Sequence, residues 1–352
     1  MQLGHTESRP GAITRGSLPV ASLPTGITET LPLIIAQGER DGPTLWLTAT
    51  IHGDEANGLA VAHEVMREDL PGMLRGTVVC LPNLNPAGLR RNKRRPYYGG
   101  DLNRCFPESP GEEPESLDEQ ICHRVFDAFT GNADALIDLH TANIGAIPFN
   151  IRHRVLYGEF RSRDDAEALA NEQKQLMTAF GLPIVNQYDE YREKELHRST
   201  TGAALNLANI PAMTVELGQH SVVRDEVVDA GVAGCYRVMN AMNMIEAVPP
   251  GIADADPGYA GRVNFPVKRA EAPTTREAGI LRHRISPGEP FDEGETIADV
   301  MAIDGSHVEE VRATADGYLV NRATGAAVYP YDEVGNVVVR DDGPVVLPRD
   351  EA

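Results

Sequence analysis

The chain has 352 residues, 41% of them hydrophobic, and a formal net charge of −20 at pH 7. The length suffices for one large domain plus a smaller one, and the apolar content supports a folded core rather than disorder. The acidic balance argues against a nucleic-acid partner, which needs clustered Lys and Arg; the one strongly basic run, "RRNKRR" at 90–95, is short.

In chain order, apolar runs alternate with helical patterns. "TETLPLIIAQ" (28–37) and "PTLWLTATI" (43–51) read as strands, and 54–69 reads as a helix. "GTVVCLPNL" (76–84), "DALIDLH" (134–140) and "AMTVELG" (212–218) are further strand candidates, with helices expected at 116–130, 164–180 and 223–247. The alternation predicts an α/β domain over 1–248, built on a mixed β-sheet flanked by helices. A Pro/Gly-rich stretch, "EAVPPGIADADPGYAG" (246–261), marks a boundary. Beyond it, turn-punctuated short segments over 262–352 predict a small C-terminal all-β domain.

Four cysteines, Cys80, Cys105, Cys122 and Cys235, are widely spaced without a CxxC, so neither a zinc ribbon nor a disulfide framework is indicated. There is no basic-then-apolar leader and no apolar run long enough to span a bilayer. The expectation is a soluble cytoplasmic protein with no membrane partner.

Chemistry concentrates at the strand ends. His52 and Glu55, in "ATIHGDEANG", stand on a strand-to-helix turn where Gly53 is read as permitting a sharp bend. His140 closes "ALIDLHTAN" at another carboxyl end, the side of an open α/β sheet where ligands gather. Two imidazoles and a carboxylate make a three-ligand set for a catalytic zinc, the fourth position being left to water. Asp138 lies two residues before His140, on the same strand face, and can orient an imidazole. Glu216, in "PAMTVELGQH", ends a fourth strand and suits proton transfer beside a metal. Singly, each of these residues is more often structural; an acid at a helix N-terminus, for instance, commonly serves the helix dipole. The grouping at strand ends is what favours a site. His63, His123, His153 and His197 lack such settings and read as ordinary, while His220 is ambiguous.

HxxE, "DLNRCFP" (101–107), "DLHTA" (138–142) and "TVELG" (214–218), in that order, resemble the succinylglutamate desuccinylase/aspartoacylase family of zinc carboxypeptidase-like hydrolases. The resemblance covers roughly residues 30–247, and the C-terminal stretch looks like the small lipoyl- or barrel-like β domain such enzymes often carry. It implies one Zn2+ per chain held by His52, Glu55 and His140, with Glu216 as the catalytic acid/base. Asn103 and Arg104 match the pair that binds the substrate carboxylate, a task for which a guanidinium fork is suited. Arg152 resembles a second substrate arginine of some branches, and Arg95 is the candidate for the carbonyl-polarising arginine. The implied activity is hydrolysis of a small N-acyl amino acid.

Two other readings stay open at this stage. A metallocarboxypeptidase would use the same chemistry on short peptides. A non-enzymatic metal-binding or carrier-type scaffold is the third reading, since "RATADGYLV" resembles a lipoyl or biotinyl carrier. No lysine follows Lys268, so cofactor attachment on a C-terminal hairpin lysine is chemically excluded. The β domain is instead expected to shape or cover the mouth of the site, or to serve a homo-oligomer contact.

Overall fold

The structure is a computed structural model that describes residues 1–96, 99–253, 255 and 263–349. Much of the Pro/Gly-rich boundary, 254 and 256–261, therefore lies outside the described residues. The elements that build the site are β1 (Ala12–Ser22), β2 (Thr28–Gln37), β3 (Arg40–Ala49), α1 (Ala56–Val65) and β4 (Arg75–Leu81). Next come α2 (Leu117–Phe129), β5 (Ala135–Ala142), β6 (Phe149–Arg152), α3 (Arg163–Phe180) and β7 (Ile184–Asn186). After them are β8 (Ala212–Gln219), α4 (Asp225–Ala241), β9 (Val267–Ala270), β10 (Pro290–Phe291), β11 (Gly317–Arg322) and β12 (Gly335–Arg340).

These strands form one 12-stranded mixed sheet in the order β10-β11-β12-β9-β7-β6-β8-β5-β3-β4-β2-β1. Its centre, β8-β5-β3-β4, is parallel, so four strand ends point the same way. Strand alternation decides the two faces. Leu45, Leu47 and Ala49 of β3 pack with Val61 and Val65 of α1, Phe180 of α3 and Tyr236 of α4. Trp46, one residue out of phase, packs on the opposite face with Val125 and Phe129 of α2, meeting Phe129 edge-on at 6.2 Å between ring centroids. Burying each large apolar side chain in this way contributes about 1.5–3 kcal/mol. Ser116 and Ser162 start α2 and α3 by accepting hydrogen bonds from the backbone N–H of Glu119 and Asp165.

The C-terminal residues are strands, as the turn-punctuated pattern predicts, but they do not all stand apart from the large sheet. β9 joins β7 in parallel and carries β12, β11 and β10 with it, so the sheet runs on through the expected boundary. The strands His307–Arg312, Thr296–Met301, Gly279–His283 and Ala327–Val328 make a separate four-stranded sheet. Their packing forms an apolar core around Leu281, Ile297, Val300 and Leu319. Among the described residues no helix is long and apolar enough to cross a membrane, and all four cysteines are free.

Candidate metal centre and active site

β3 ends at Ala49, and Thr50 then takes a left-handed backbone with φ of 55°. This residue, rather than Gly53, carries the positive φ of the turn. Gly53 is required for a different reason: a Cβ there would lie 2.1 Å from the carbonyl carbon of Gly88. The close approach of two backbones fixes where His52 sits.

His52, Glu55 and His140 are all at least 97% buried and converge, with one ligand atom of each within 4.8 Å of the others. The carboxylate of Glu55 lies between the rings. Its Oε1 is 2.7 Å from His52 Nδ1, and its Oε2 is 3.0 Å from His140 Nδ1. Oε2 also accepts the backbone N–H of Thr141 at 3.1 Å. Glu55 is the residue before α1, yet its side chain makes no capping bond to the helix. A role confined to the helix dipole is thus the weaker reading.

The far nitrogen of each ring is held by a second carboxylate. His140 Nε2 is 2.8 Å from Asp138 Oδ2, and Asp138 Oδ1 accepts from Thr48 Oγ1 at 2.7 Å. His52 Nε2 is 3.0 Å from Asp101 Oδ1. Both imidazoles therefore present Nδ1 to a common point while a carboxylate fixes the other nitrogen, the arrangement that orients metal-binding histidines. The donor set fits a divalent cation, and the group could hold a metal ion.

The charges follow. Burial opposes protonation of His52, but Glu55 and Asp101 outweigh it and raise the pKa. For His140, burial is overcome by Asp138 and Glu55, and the pKa lies well above the ordinary value. Burial alone would raise Glu55; the two histidines pull it far below the usual carboxylate range.

Glu216 is the register partner of His140 across the β5–β8 pair. Its Oε2 is buried and has no hydrogen-bond partner among the described residues, and the side chain lines the same cavity as His52, Glu55 and His140. Burial and the charge of Glu55 raise its pKa, against the pull of His140, Arg269 and His52. A buried carboxylate with a raised proton affinity beside the converging ligands suits proton transfer.

"DLNR" forms a short 3-10 turn, Leu102–Arg104, begun by Asp101, which accepts the N–H of Asn103 at 3.0 Å. Asn103 Oδ1 is fixed by the backbone N–H of Thr200 at 2.9 Å and by its hydroxyl at 3.2 Å. That leaves the amide NH2 as the end able to donate into the cavity, which Asn103 and Arg104 both line.

Two arginines are placed differently from the sequence expectation. Arg95 is exposed and does not line the cavity; Arg94 does, with Nη2 2.8 Å from Asp101 Oδ2 and Nη1 3.5 Å from Glu55 Oε1. Five basic residues within the six positions 90–95 give no register from sequence. Arg94 is singled out by its carbonyl, which accepts from Gly53 N and Asn85 Nδ2 and so ties it to the His52 turn. Arg152 turns away as well. Phe149 and Ile151 of β6 face the cavity, so the alternate residues Asn150 and Arg152 face α3, where Arg152 Nη2 donates to the carbonyl of Ala170 at 2.8 Å.

The sequence reading also passed over Asp101, Arg94, His153 and Arg269. His153 lines the cavity, with Nδ1 3.1 Å from Tyr191 Oη and Nε2 3.2 Å from Thr214 Oγ1. Burial and the cations Arg104 and Arg269 push its pKa down to about 3, keeping it neutral. His63, His123 and His197 are not among the cavity residues, whereas His220 is. Arg269 comes from β9, and Val320, Asn336 and Val338 from β11 and β12 complete that wall. The cavity volume is about 240 Å3.

A model of the succinylglutamate desuccinylase/aspartoacylase catalytic domain matches residues 41–242, more than half of the chain. The chain belongs to the succinylglutamate desuccinylase/aspartoacylase family. A curated relative, N-alpha-acetyl-L-2,4-diaminobutyric acid deacetylase of Halomonas elongata, is 26% identical over 314 residues, covering 86% of this chain and 83% of the relative. Solved structures of similar fold include a succinylglutamate desuccinylase/aspartoacylase from Rhodobacter sphaeroides, with a TM-score of 0.70 at 23% identity and 94% of each chain covered. Another is the product-bound ectoine utilization protein EutE from Ruegeria pomeroyi, with a TM-score of 0.71 at 20% identity, covering 96% of this chain and 100% of that one. The mixed sheet flanked by helices is the fold shared with these family members.

The placement of the two neighbouring arginines makes a direct prediction. If Arg94 is the donor to the developing oxyanion, Arg94→Ala should lower kcat by about 10²-fold. Arg95→Ala should stay within about twofold of the parent, as an exposed side chain usually does. Turnover of both variants, with metal content measured alongside, checks this; equal losses would remove Arg94 from that role.

Proposed function

We propose that the protein is a zinc-dependent deacylase that hydrolyses the amide bond of a small N-acyl amino acid. The observation that carries this reading is the placement of Glu216, whose side chain lines the same cavity as the converging His52, Glu55 and His140 and whose buried Oε2 has no hydrogen-bond partner among the described residues. His52, Glu55 and His140 would hold the zinc, which when bound supplies Lewis acidity toward the amide carbonyl and acidifies a water. Glu216 takes the proton of the attacking water and then delivers it to the departing nitrogen, so that a carboxylate and a free amine result. Arg94 is aimed at the negative charge that grows on the carbonyl oxygen. Asn103 and Arg104 hold the substrate's free carboxylate.

The dimensions support a small substrate. A volume of about 240 Å3 is below the roughly 300–1,000 Å3 usual for drug-sized ligands. β11 and β12 form one wall of this cavity, and its size suits a small substrate of either kind, an N-acyl amino acid or a dipeptide. The family membership and the deacetylase relative favour a deacylase over a carboxypeptidase.

The test is a panel of N-acetyl, N-succinyl and N-formyl amino acids, N-acetyl-2,4-diaminobutyrate among them, with dipeptides alongside, given to zinc-loaded protein. At least one N-acyl amino acid should be cleaved with kcat/KM well above every dipeptide. Faster cleavage of dipeptides would establish the carboxypeptidase instead.

A further inference from the structure

Two guanidiniums face the cavity with no carboxylate partner among the described residues. Among the described residues Arg104 donates to backbone oxygens, through Nε to Lys194 O at 3.0 Å and through Nη1 to Asn103 O at 2.5 Å. Arg269 enters from β9, with its guanidinium carbon 4.7 Å from the ring centroid of Tyr188 and Nη1 3.5 Å from Gln187 Oε1. Arg94, by contrast, is already paired with Asp101 and Glu55. Stacking on one face of an aromatic ring restrains a guanidinium while leaving its edge donors free.

The two unpaired cations are close enough to act on each other. Burial lowers the pKa of Arg104, and like-charge repulsion from Arg94 and Arg269 acts in the same direction, against the pull of Asp101 and Glu195. Such an arrangement is relieved by an anion bound between the cations. A carboxylate has about four lone-pair sites on two oxygens, enough to accept from two forks at once.

We propose that Arg269 is the second arm of the substrate clamp, so that the free carboxylate of the N-acyl amino acid lies between the Arg104 and Arg269 guanidiniums. This rests on the deacylase reading and extends it: the strand that continues the sheet beyond the catalytic part supplies a specificity residue. The substrate class is narrowed to N-acyl amino acids with an underivatised carboxylate. A second role must be told apart, because Arg269 also acts electrostatically on Glu216; that role would alter turnover of acid and amide substrates alike.

The experiment uses full-length, zinc-loaded protein with N-acetyl-L-alanine and N-acetyl-L-alaninamide, which differ only in the carboxylate. KM and kcat are measured for the parent, Arg269→Gln and Arg269→Lys, and calorimetric binding of both probes is measured in parallel. Loss of one charge-assisted contact should raise KM for the acid by about ten- to a hundredfold while the amide changes little. Arg269→Lys should recover part of the loss, since charge remains without the fork. An acid-to-amide preference in Arg269→Gln equal to that of the parent overturns the clamp. So does an equal fall in kcat on both probes. If the parent hydrolyses neither probe nor any N-acyl amino acid, the deacylase reading fails by itself. The calorimetry then decides the clamp: preferential binding of the acid, abolished in Arg269→Gln, upholds it, and no such preference overturns it.

Discussion

Glu216→Gln protein should keep its metal and lose at least about 10²-fold, and up to about 10⁴-fold, in kcat. The substitution preserves shape and removes only the ability to accept a proton. In activation free energy that is about 2.7–5.4 kcal/mol. The size of the effect follows from the surroundings of the side chain. Its Oε2 has no hydrogen-bond partner among the described residues, so an amide nitrogen at that position breaks no hydrogen bond described there and the fold should tolerate it. KM should change little, because the carboxylate end of the substrate is assigned to Asn103, Arg104 and Arg269. Turnover and metal content on one preparation separate the outcomes. Near-parental turnover would mean that the proton goes elsewhere and would remove Glu216 from this role.

Removing a ligand is expected to be harsher. His140→Ala should abolish stoichiometric zinc and activity together. Alanine at this position deletes one of three donors and leaves Glu55 and Asp138, both buried, without the imidazole that lies between them. Two milder variants grade the effect. Asp138→Asn and Asp101→Asn leave all three donors in place but weaken the hold on the far ring nitrogen, which typically costs about 10–100-fold in metal affinity. Elemental analysis and a competition titration with a chromogenic chelator rank the three. Full zinc retained in a His52→Ala/His140→Ala double variant would contradict this centre.

Much of the candidate site was legible in the sequence because its grouping depends on local pattern. His52, His140 and Glu216 each close an apolar run, and a parallel sheet brings such ends to one edge. The helices expected at 116–130 and 164–180 appear as Leu117–Phe129 and Arg163–Phe180. What was not legible depends on pairing between distant segments. Nothing local says that Val267–Ala270 should pair with Ile184–Asn186, so Arg269 could not be placed at the cavity. The choice of Arg94 over Arg95 needed the backbone contact with Gly53. Arg152 is different: the alternation in "PFNIR" puts Phe149 and Ile151 on one face, and reading it would have turned Arg152 away from the site. Asp101 was also within reach, standing first in "DLNR", but its contact with His52 spans 49 residues. The reason for Gly53 was local in appearance and tertiary in fact, since the neighbour that excludes a side chain is Gly88.

The central claim is that a metal held by His52, Glu55 and His140 serves amide hydrolysis assisted by Glu216. Its most direct test is the release of free amine from N-acyl amino acids by one protein preparation measured three times: as purified, after exhaustive chelation, and after zinc is restored. The account predicts steady release, its disappearance on chelation, and its return with about one zinc per chain. Release that survives complete removal of metal, or no release from any N-acyl amino acid by the zinc-loaded protein, would contradict it.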